Sequence, residues 1–176
     1  MTTAERERAF AEFVAARYGS LVRTAFLLTG DRGHAEDLVQ VSLLRTFHAW
    51  GRLNAPENAE AYTRTTMIRL ASRWRRRGWT AEVPSAEIPG RESPDPSARV
   101  DEAVTVRAAL LALSWSQRAV LVLRYFDDLP EAAVAELLGC SLGMVKSRAS
   151  RGLAALRDAA QLDSRPQSSA EVHGDG

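Results

Sequence analysis

Four prolines, Pro84, Pro89, Pro94 and Pro96, fall within residues 79–100, with Gly90 and several serines among them. Proline lacks the amide that a helix interior needs and biases the residue before it away from helical angles, so no continuous helix crosses this stretch. The chain must therefore organise itself separately on either side. On both sides apolar residues recur at three- and four-residue steps, the period of an amphipathic helix. The fold expected is all-α: two small helical domains joined by a flexible linker. The expected boundaries are 5–78 for the first domain, 79–100 for the linker and 101–160 for the second domain, with a disordered tail over 161–176.

In the first domain, Phe10, Phe13, Val14, Leu21, Val22, Ala25 and Leu28 predict a helix from about Glu5 to Leu28, broken by Gly30 and Asp31. A second helix is predicted from about His34 to Trp50, with Leu38, Val41, Leu44 and Phe47 as its apolar stripe and Leu43 and Trp50 widening it. A loop over Gly51 to Glu57 leads to a third helix, about Ala59 to Arg77, whose bulky positions are Tyr62, Thr66, Ile68, Leu70 and Trp74. In the second domain, Val104, Ala108, Leu111 and Leu113 predict a fourth helix, and Gln117 to Phe126 a fifth that ends at Asp127 and Asp128. A short helix follows from Pro130 to Leu138, with proline where a missing amide costs least. Gly139 turns the chain, Ser141 caps the last helix, and that helix extends to about Ala160.

Composition excludes several classes of function. No apolar run approaches the roughly 20 residues that span a bilayer, and the polar, mixed-charge start Met1 to Arg8 lacks the apolar core of a secretory signal. No membrane insertion is expected, and a cytoplasmic location is. The single cysteine, Cys140, forms no internal disulfide and reads as a small filler in a turn. His34, His48 and His173 are spread along the chain without ligand-like spacing, so no metal site is expected. No clustered acids or activated nucleophile indicate catalysis, and no catalytic residue, cofactor or small-molecule substrate is expected.

The net charge is only +1, but the positive charge is unevenly placed. Residues 69–77 carry Arg69, Arg73, Arg75, Arg76 and Arg77 without an acid, and residues 141–157 carry Lys146, Arg148, Arg151 and Arg157, again without an acid. Solvated helix faces also produce such runs, and Lys146 is the only lysine among 23 basic residues, so part of the arginine load is compositional. The second run lies in Glu136 to Arg157, ELLGCSLGMVKSRASRGLAALR, where a short helix, a glycine turn and a longer basic helix make a helix-turn-helix. Val134, Leu137, Leu138, Val145, Leu153 and Leu156 supply its inner face, while Ser141, Lys146, Ser147, Arg148 and Arg151 stand opposite. In this geometry the second helix enters the major groove with its N-terminal part near base edges. Arg148 is suited to the groove, and Arg151 and Arg157 to the DNA backbone.

The chain resembles the extracytoplasmic-function group of bacterial RNA polymerase sigma factors, within the sigma-70 superfamily, and is most similar to a compact actinobacterial, sigma-E-like branch. The resemblance is carried by LLTGDRGHAEDLVQVSLLRTFHAW (residues 27–50), AYTRTTMIRLASRWRRR (61–77) and LSWSQRAVLVLRYFDDLPEAAVAELLGCSLGMVKSRASRGLAALR (113–157), in the family's order and at family-like separations. It implies that the first domain is sigma region 2 and the second sigma region 4. It implies core RNA polymerase as a partner, held by Asp37, Gln40 and Val41, the last standing where relatives often have glutamate. It implies promoter DNA as a second partner, taken both as duplex and as opened strand. The loop around Leu53 to Asn58, with Asn54 and Asn58, would receive an unstacked base. Arg64, Arg69, Arg73, Arg75, Arg76 and Arg77 would hold phosphates, Arg69 standing where relatives commonly carry asparagine. Trp74 would stack on DNA or belong to the core. The proline-rich linker would cross the polymerase near the RNA exit path, and an anti-sigma protein is a common family partner.

Three other readings compete. A classical helix-turn-helix regulator that binds an operator as a dimer explains residues 136–157 but leaves the arginine-rich third helix without a role. A nucleic-acid enzyme lacks the necessary acids, and a helical adaptor would bind neither polymerase nor promoter.

Overall fold

The computed structural model describes residues 2–53, 56–78 and 106–163. Asn54, the whole of the expected linker over 79–100, Val104 of the expected fourth helix and the tail from residue 164 lie outside the described residues. All regular structure among the described residues is helical. In chain order the helices are α1 (Thr3–Thr29), α2 (Arg32–Ala49), α3 (Pro56–Arg76), α4 (described over 106–112), α5 (Trp115–Leu121), α6 (Glu131–Leu138) and α7 (Leu142–Asp163). A 3-10 turn, Trp50–Arg52, follows α2. A π-type turn, Val122–Phe126, prolongs α5.

Local chemistry sets the ends of these helices. Thr2 and Glu5 form a capping box at the start of α1: the Glu5 amide donates to the Thr2 hydroxyl, and the Thr2 amide to the Glu5 carboxylate. At its other end Gly30 takes φ 75°, and its amide donates to the Phe26 carbonyl. A side chain there would also collide with Leu111 of α4, because an added Cβ would lie 2.6 Å from Leu111 Cδ2. Asp31 then caps α2, its carboxylate accepting from the His34 amide at 2.7 Å. Pro56 stands at the first position of α3, where its missing amide has no partner to lose.

Helices α1, α2 and α3 pack into a first core. Phe10, Phe13, Phe47 and Trp50 meet at one end of it with ring centroids 5.0–6.2 Å apart, and Leu21, Leu38, Val39 and Met67 fill the rest. The face of α2 that does this differs from the stripe expected from sequence. Leu44 is 57% exposed, while Ala35, Leu38, Val39, Ser42, Leu43, Thr46 and Ala49 are buried. Small and hydroxylated residues occupy the tight α2–α3 contact. Ser42 and Thr46 donate to carbonyls one turn back, as does Thr63 of α3, and Thr46 and Thr63 meet at 2.8 Å. A hydroxyl paired in this way can be buried without the cost of an orphaned polar group, so α2 turns its polar Ser/Thr ladder inward and Leu44 outward. In α3 likewise, Thr63 and Met67 are buried, whereas Tyr62 and Thr66 are only partly so.

The second core is aliphatic: Leu110, Leu113, Val120, Leu121, Val122, Leu123, Val134 and Val145. In the contact between α5 and α7, a Cβ on Gly152 would come within 2.9 Å of Leu121. This core also contains Leu28 of α1 and Ile68 of α3, each 1% exposed, and Trp115 of α5 packs against both cores. The two helical units therefore share a seam, where the sequence had suggested separate cores. Periodicity shows which residues of a helix are apolar, and it does not show that Leu28 and Ile68 are covered by helices from beyond the prolines. At its far end α7 runs to Asp163, so residues 161–163 prolong a helix expected to stop near Ala160.

Candidate nucleic-acid interface

Helix α6, Gly139 and α7 form the helix-turn-helix. Gly139 adopts φ 62°, and the Cys140 amide donates back to the Ala135 carbonyl, closing the turn. Cys140 is half-buried against the second core, as a filler in that turn. The Ser141 hydroxyl accepts from the Met144 amide at 3.2 Å and so caps α7. Val145, Ala149 and Gly152 face inward, whereas Ser141, Lys146, Ser147, Arg151 and Arg157 are exposed. Arg148 is half-buried, on the flank of α7 between these two faces. Leu142 and Met144, 43% and 45% exposed, stand in the first turn of α7 beside the basic residues. They carry no charge and so lie outside the basic pattern of the sequence, yet an apolar side chain at this end of a recognition helix can meet a thymine methyl.

The arginines of α3 do not form one uniform face. Asn58, Arg69, Arg73, Arg76 and Arg77 are exposed. Arg64 is turned inward: its guanidinium pairs with Glu60 at 3.0 Å and with Asp127, beyond α5, at 2.7 Å. Arg75 is half-buried and lies over the Trp115 ring, 5.1 Å from its centroid. Trp74 is half-buried against the first core. Arg69, Arg73 and Arg76 line a groove of about 380 Å³ whose other wall is Glu136 to Gly139 of α6. The basic face of α3 is thus set against the first helix of the helix-turn-helix.

A third surface lies on α2. Asp37 and Gln40 are exposed, and Val41 is half-buried against the first core. Leu44 stands seven residues beyond Asp37, two helical turns on, and extends the same exposed stripe. The sequence reading assigned Leu44 to the core, although its spacing from Asp37 already placed the two on one face.

Few groups here have displaced proton affinities. Burial pushes the Arg118 guanidinium of α5 below its ordinary value. On α2, the hydrogen bond and charge of Glu36 raise that of Arg32. Among the described residues no group of three or more His, Cys, Asp or Glu is placed to hold a metal ion, and no helix is long and apolar enough to cross a membrane.

Fold and surface together define an all-helical helix-turn-helix protein with a second, separate arginine-rich helix. The family pattern described as "Sigma-70 region 2" matches residues 13–80, and that described as "Sigma-70, region 4" matches residues 103–156. The RNA polymerase sigma-E factor of Streptomyces avermitilis is 35% identical over 156 residues, covering 89% of this chain and 86% of its own. That of Streptomyces coelicolor is 35% identical over 159 residues, covering 89% and 90%. The ECF RNA polymerase sigma factor SigL of Mycobacterium tuberculosis is 33% identical over 145 residues, covering 78% and 80%. Among solved structures, the sigma factor RpoE in complex with the anti-sigma factor NepR from Bartonella quintana superposes with a TM-score of 0.67 at 23% identity, covering 89% of this chain and 99% of its own. CnrH in complex with the cytosolic domain of CnrY gives 0.64 at 23% identity, covering 90% and 91%. These two show likeness of fold.

The chain belongs to the sigma-70 family of RNA polymerase sigma factors, in its extracytoplasmic-function group. Members are non-catalytic and act in transcription initiation with RNA polymerase, so this chain is not an enzyme.

Proposed function

We propose that this chain binds core RNA polymerase, directs it to a promoter and opens the DNA there, as a member of the compact actinobacterial, sigma-E-like branch. The observation that carries this reading is the presence on one chain of two separate basic surfaces, on α7 and on α3, together with an uncharged-to-acidic stripe on α2. A single operator-binding domain needs only the first of these. Asp37, Gln40 and Leu44 form the polymerase-binding stripe, with Val41 at its edge. Arg69, Arg73, Arg76 and Arg77 hold the backbone of the opened downstream strand, and Asn54 before α3, with Asn58 in the first turn of α3, receives its unstacked base. On α7, Ser141, Lys146 and Ser147 meet the upstream duplex near its base edges, and Arg148 reaches the groove from the flank. Arg151 and Arg157 hold phosphates. No cofactor is required, because binding energy does the work. The protein acts in the cytoplasm, where the polymerase is, and an anti-sigma protein is a further partner; the Bartonella relative in fold is in complex with one.

Gel-shift titration of promoter DNA with and without core polymerase tests this. Tight specific binding is expected only with the polymerase, because two small DNA surfaces need a fixed spacing. Asp37→Ala should weaken assembly with polymerase, and Arg157→Ala should weaken cognate and altered upstream elements alike. Tight, specific, polymerase-independent binding to duplex would overturn the reading in favour of an operator-binding regulator.

A further inference from the structure

We propose that Asp127 is an intramolecular latch that keeps the C-terminal unit seated on the α3 face, so that the free chain occludes its own strand-binding surface. The inference rests on the reading of α3 as a DNA surface and adds a regulation to it.

Asp127 follows the π-type turn at the end of α5, and its side chain is only 4% exposed. It accepts from the Thr24 hydroxyl of α1 at 2.7 Å and pairs with Arg64 Nη1 of α3, also at 2.7 Å. One carboxylate from the C-terminal unit therefore ties two helices of the N-terminal unit. Arg64 is in turn held by Glu60, which also pairs with Arg17 of α1 at 2.9 Å. The charges form a continuous chain across the seam, Arg17 to Glu60 to Arg64 to Asp127.

The remainder of the seam is discontinuous. Among the described residues, hollows of about 580 Å³ and 230 Å³ border Arg64 on the two sides of this contact, and the groove of about 380 Å³ continues along α3. Arg75 Nε and Trp115 Nε1, where α3 meets α5, are buried without a hydrogen-bond acceptor among the described residues. Beside the apolar contacts of Leu28, Ile68 and Trp115, the seam is joined by Asp127, one of whose carboxylate oxygens accepts from Thr24 while the other faces Arg64 as an ion pair without a hydrogen bond.

The cost to DNA binding follows from which residues the seam uses. Arg64 and Arg75 have their guanidinium groups committed to Asp127 and Trp115, and Arg69, Arg73 and Arg76 face Glu136 and its neighbours across a narrow groove. An incoming strand needs those cations and that space. Strand binding and seating of the C-terminal unit therefore compete for Arg64, Arg75 and the groove, and a partner that draws the units apart frees them. Apparent affinity for the strand falls by the fraction of molecules that are open.

The test uses the full-length chain with Cys140→Ser and spin labels at Arg52→Cys and Ser150→Cys, exposed positions on the two units. Electron–electron distance measurements are paired with titration of a short, labelled single-stranded DNA of mixed sequence. Asp127→Asn, which keeps shape and removes charge, should broaden the label distance towards longer values and raise strand affinity about ten-fold, the gain when the open fraction rises ten-fold. Thr24→Val, a milder change, should move both in the same direction by less and serves if the first variant folds poorly. An unchanged distance distribution in both variants overturns the latch, whatever the DNA does. If the distance lengthens without a gain in affinity, Arg73→Ala with Arg76→Ala in the opened chain separates the causes. Loss of affinity in that chain overturns occlusion alone, and no loss overturns the α3 reading on which the latch stands.

Discussion

The two helical units solve the problem of building a core differently. Helices α1, α2 and α3 are 27, 18 and 21 residues long, and they enclose a cluster of edge-on and tilted aromatic rings and an internally bonded Ser/Thr ladder. Among the described residues the C-terminal unit relies on helices of 7 and 8 residues around an aliphatic cluster, with α7 as its one long element. Helices that short are marginal by themselves and depend on tertiary packing. That packing includes Leu28 and Ile68 from the other unit. All buried members of the first core come from the N-terminal unit, with Trp115 only packed against it, whereas the second core takes Leu28 and Ile68 from the other unit. If the proposed latch opens, the C-terminal unit loses part of its core as it moves.

The largest test of this asymmetry compares two buried leucines. Leu38→Ala in the first core and Leu123→Ala in the second should each cost about 2–5 kcal/mol, both side chains being 0% exposed. Residue-resolved amide exchange should show Leu123→Ala loosening α5, α6 and α7 while α1 and α2 keep their protection. Leu38→Ala should loosen both units. Equal loosening throughout by Leu123→Ala would break the comparison. A smaller effect sharpens it: Ile68→Val should cost about 1 kcal/mol and should reduce protection in α5 and α7 more than in α2, although the substitution lies on α3. The smallest lies far from the seam. Hydrogen bonds from the Thr2 amide and then its hydroxyl hold the Glu5 carboxyl below its ordinary value. A carboxylate lowered in this way adds stability above its unfolded value and loses it as pH falls through its folded value. Acidification should fray the first turn of α1, seen in the Thr2 and Glu5 amide shifts, before it disturbs α5 or α7.

Helix order and most helix ends were legible because single residues set them: Gly30 and Asp31 between α1 and α2, Gly139 and Ser141 between α6 and α7. Rotation of a helix about its axis was less legible. On α2 the rule that apolar residues point inward favoured Leu44 over Ser42 and Thr46, and the contrary outcome depends on hydroxyls bonding back to their own helix. The α7 surface was visible as a basic face without acids. The α3 surface was visible only as a run of arginines, within which sequence could not separate Arg64 and Arg75 from Arg73 and Arg76. That separation is made by Asp127 and Trp115, about 40 or more residues away in the chain and across the prolines. Asp127 itself read simply as a residue that ends a helix.

The π-type turn before Asp127 gives that residue a particular kind of inheritance. The Asp127 amide reaches back five residues to the Val122 carbonyl, one more than an α-helix uses. Each residue turns a helix by about 100°. Deleting one residue from Val122–Phe126 would let the α-helical ladder continue and would swing the carboxylate about a quarter-turn away from Arg64 and Thr24. Among relatives the acid can therefore be retained in the alignment and still point elsewhere, so that the trait passes down as the length of a segment.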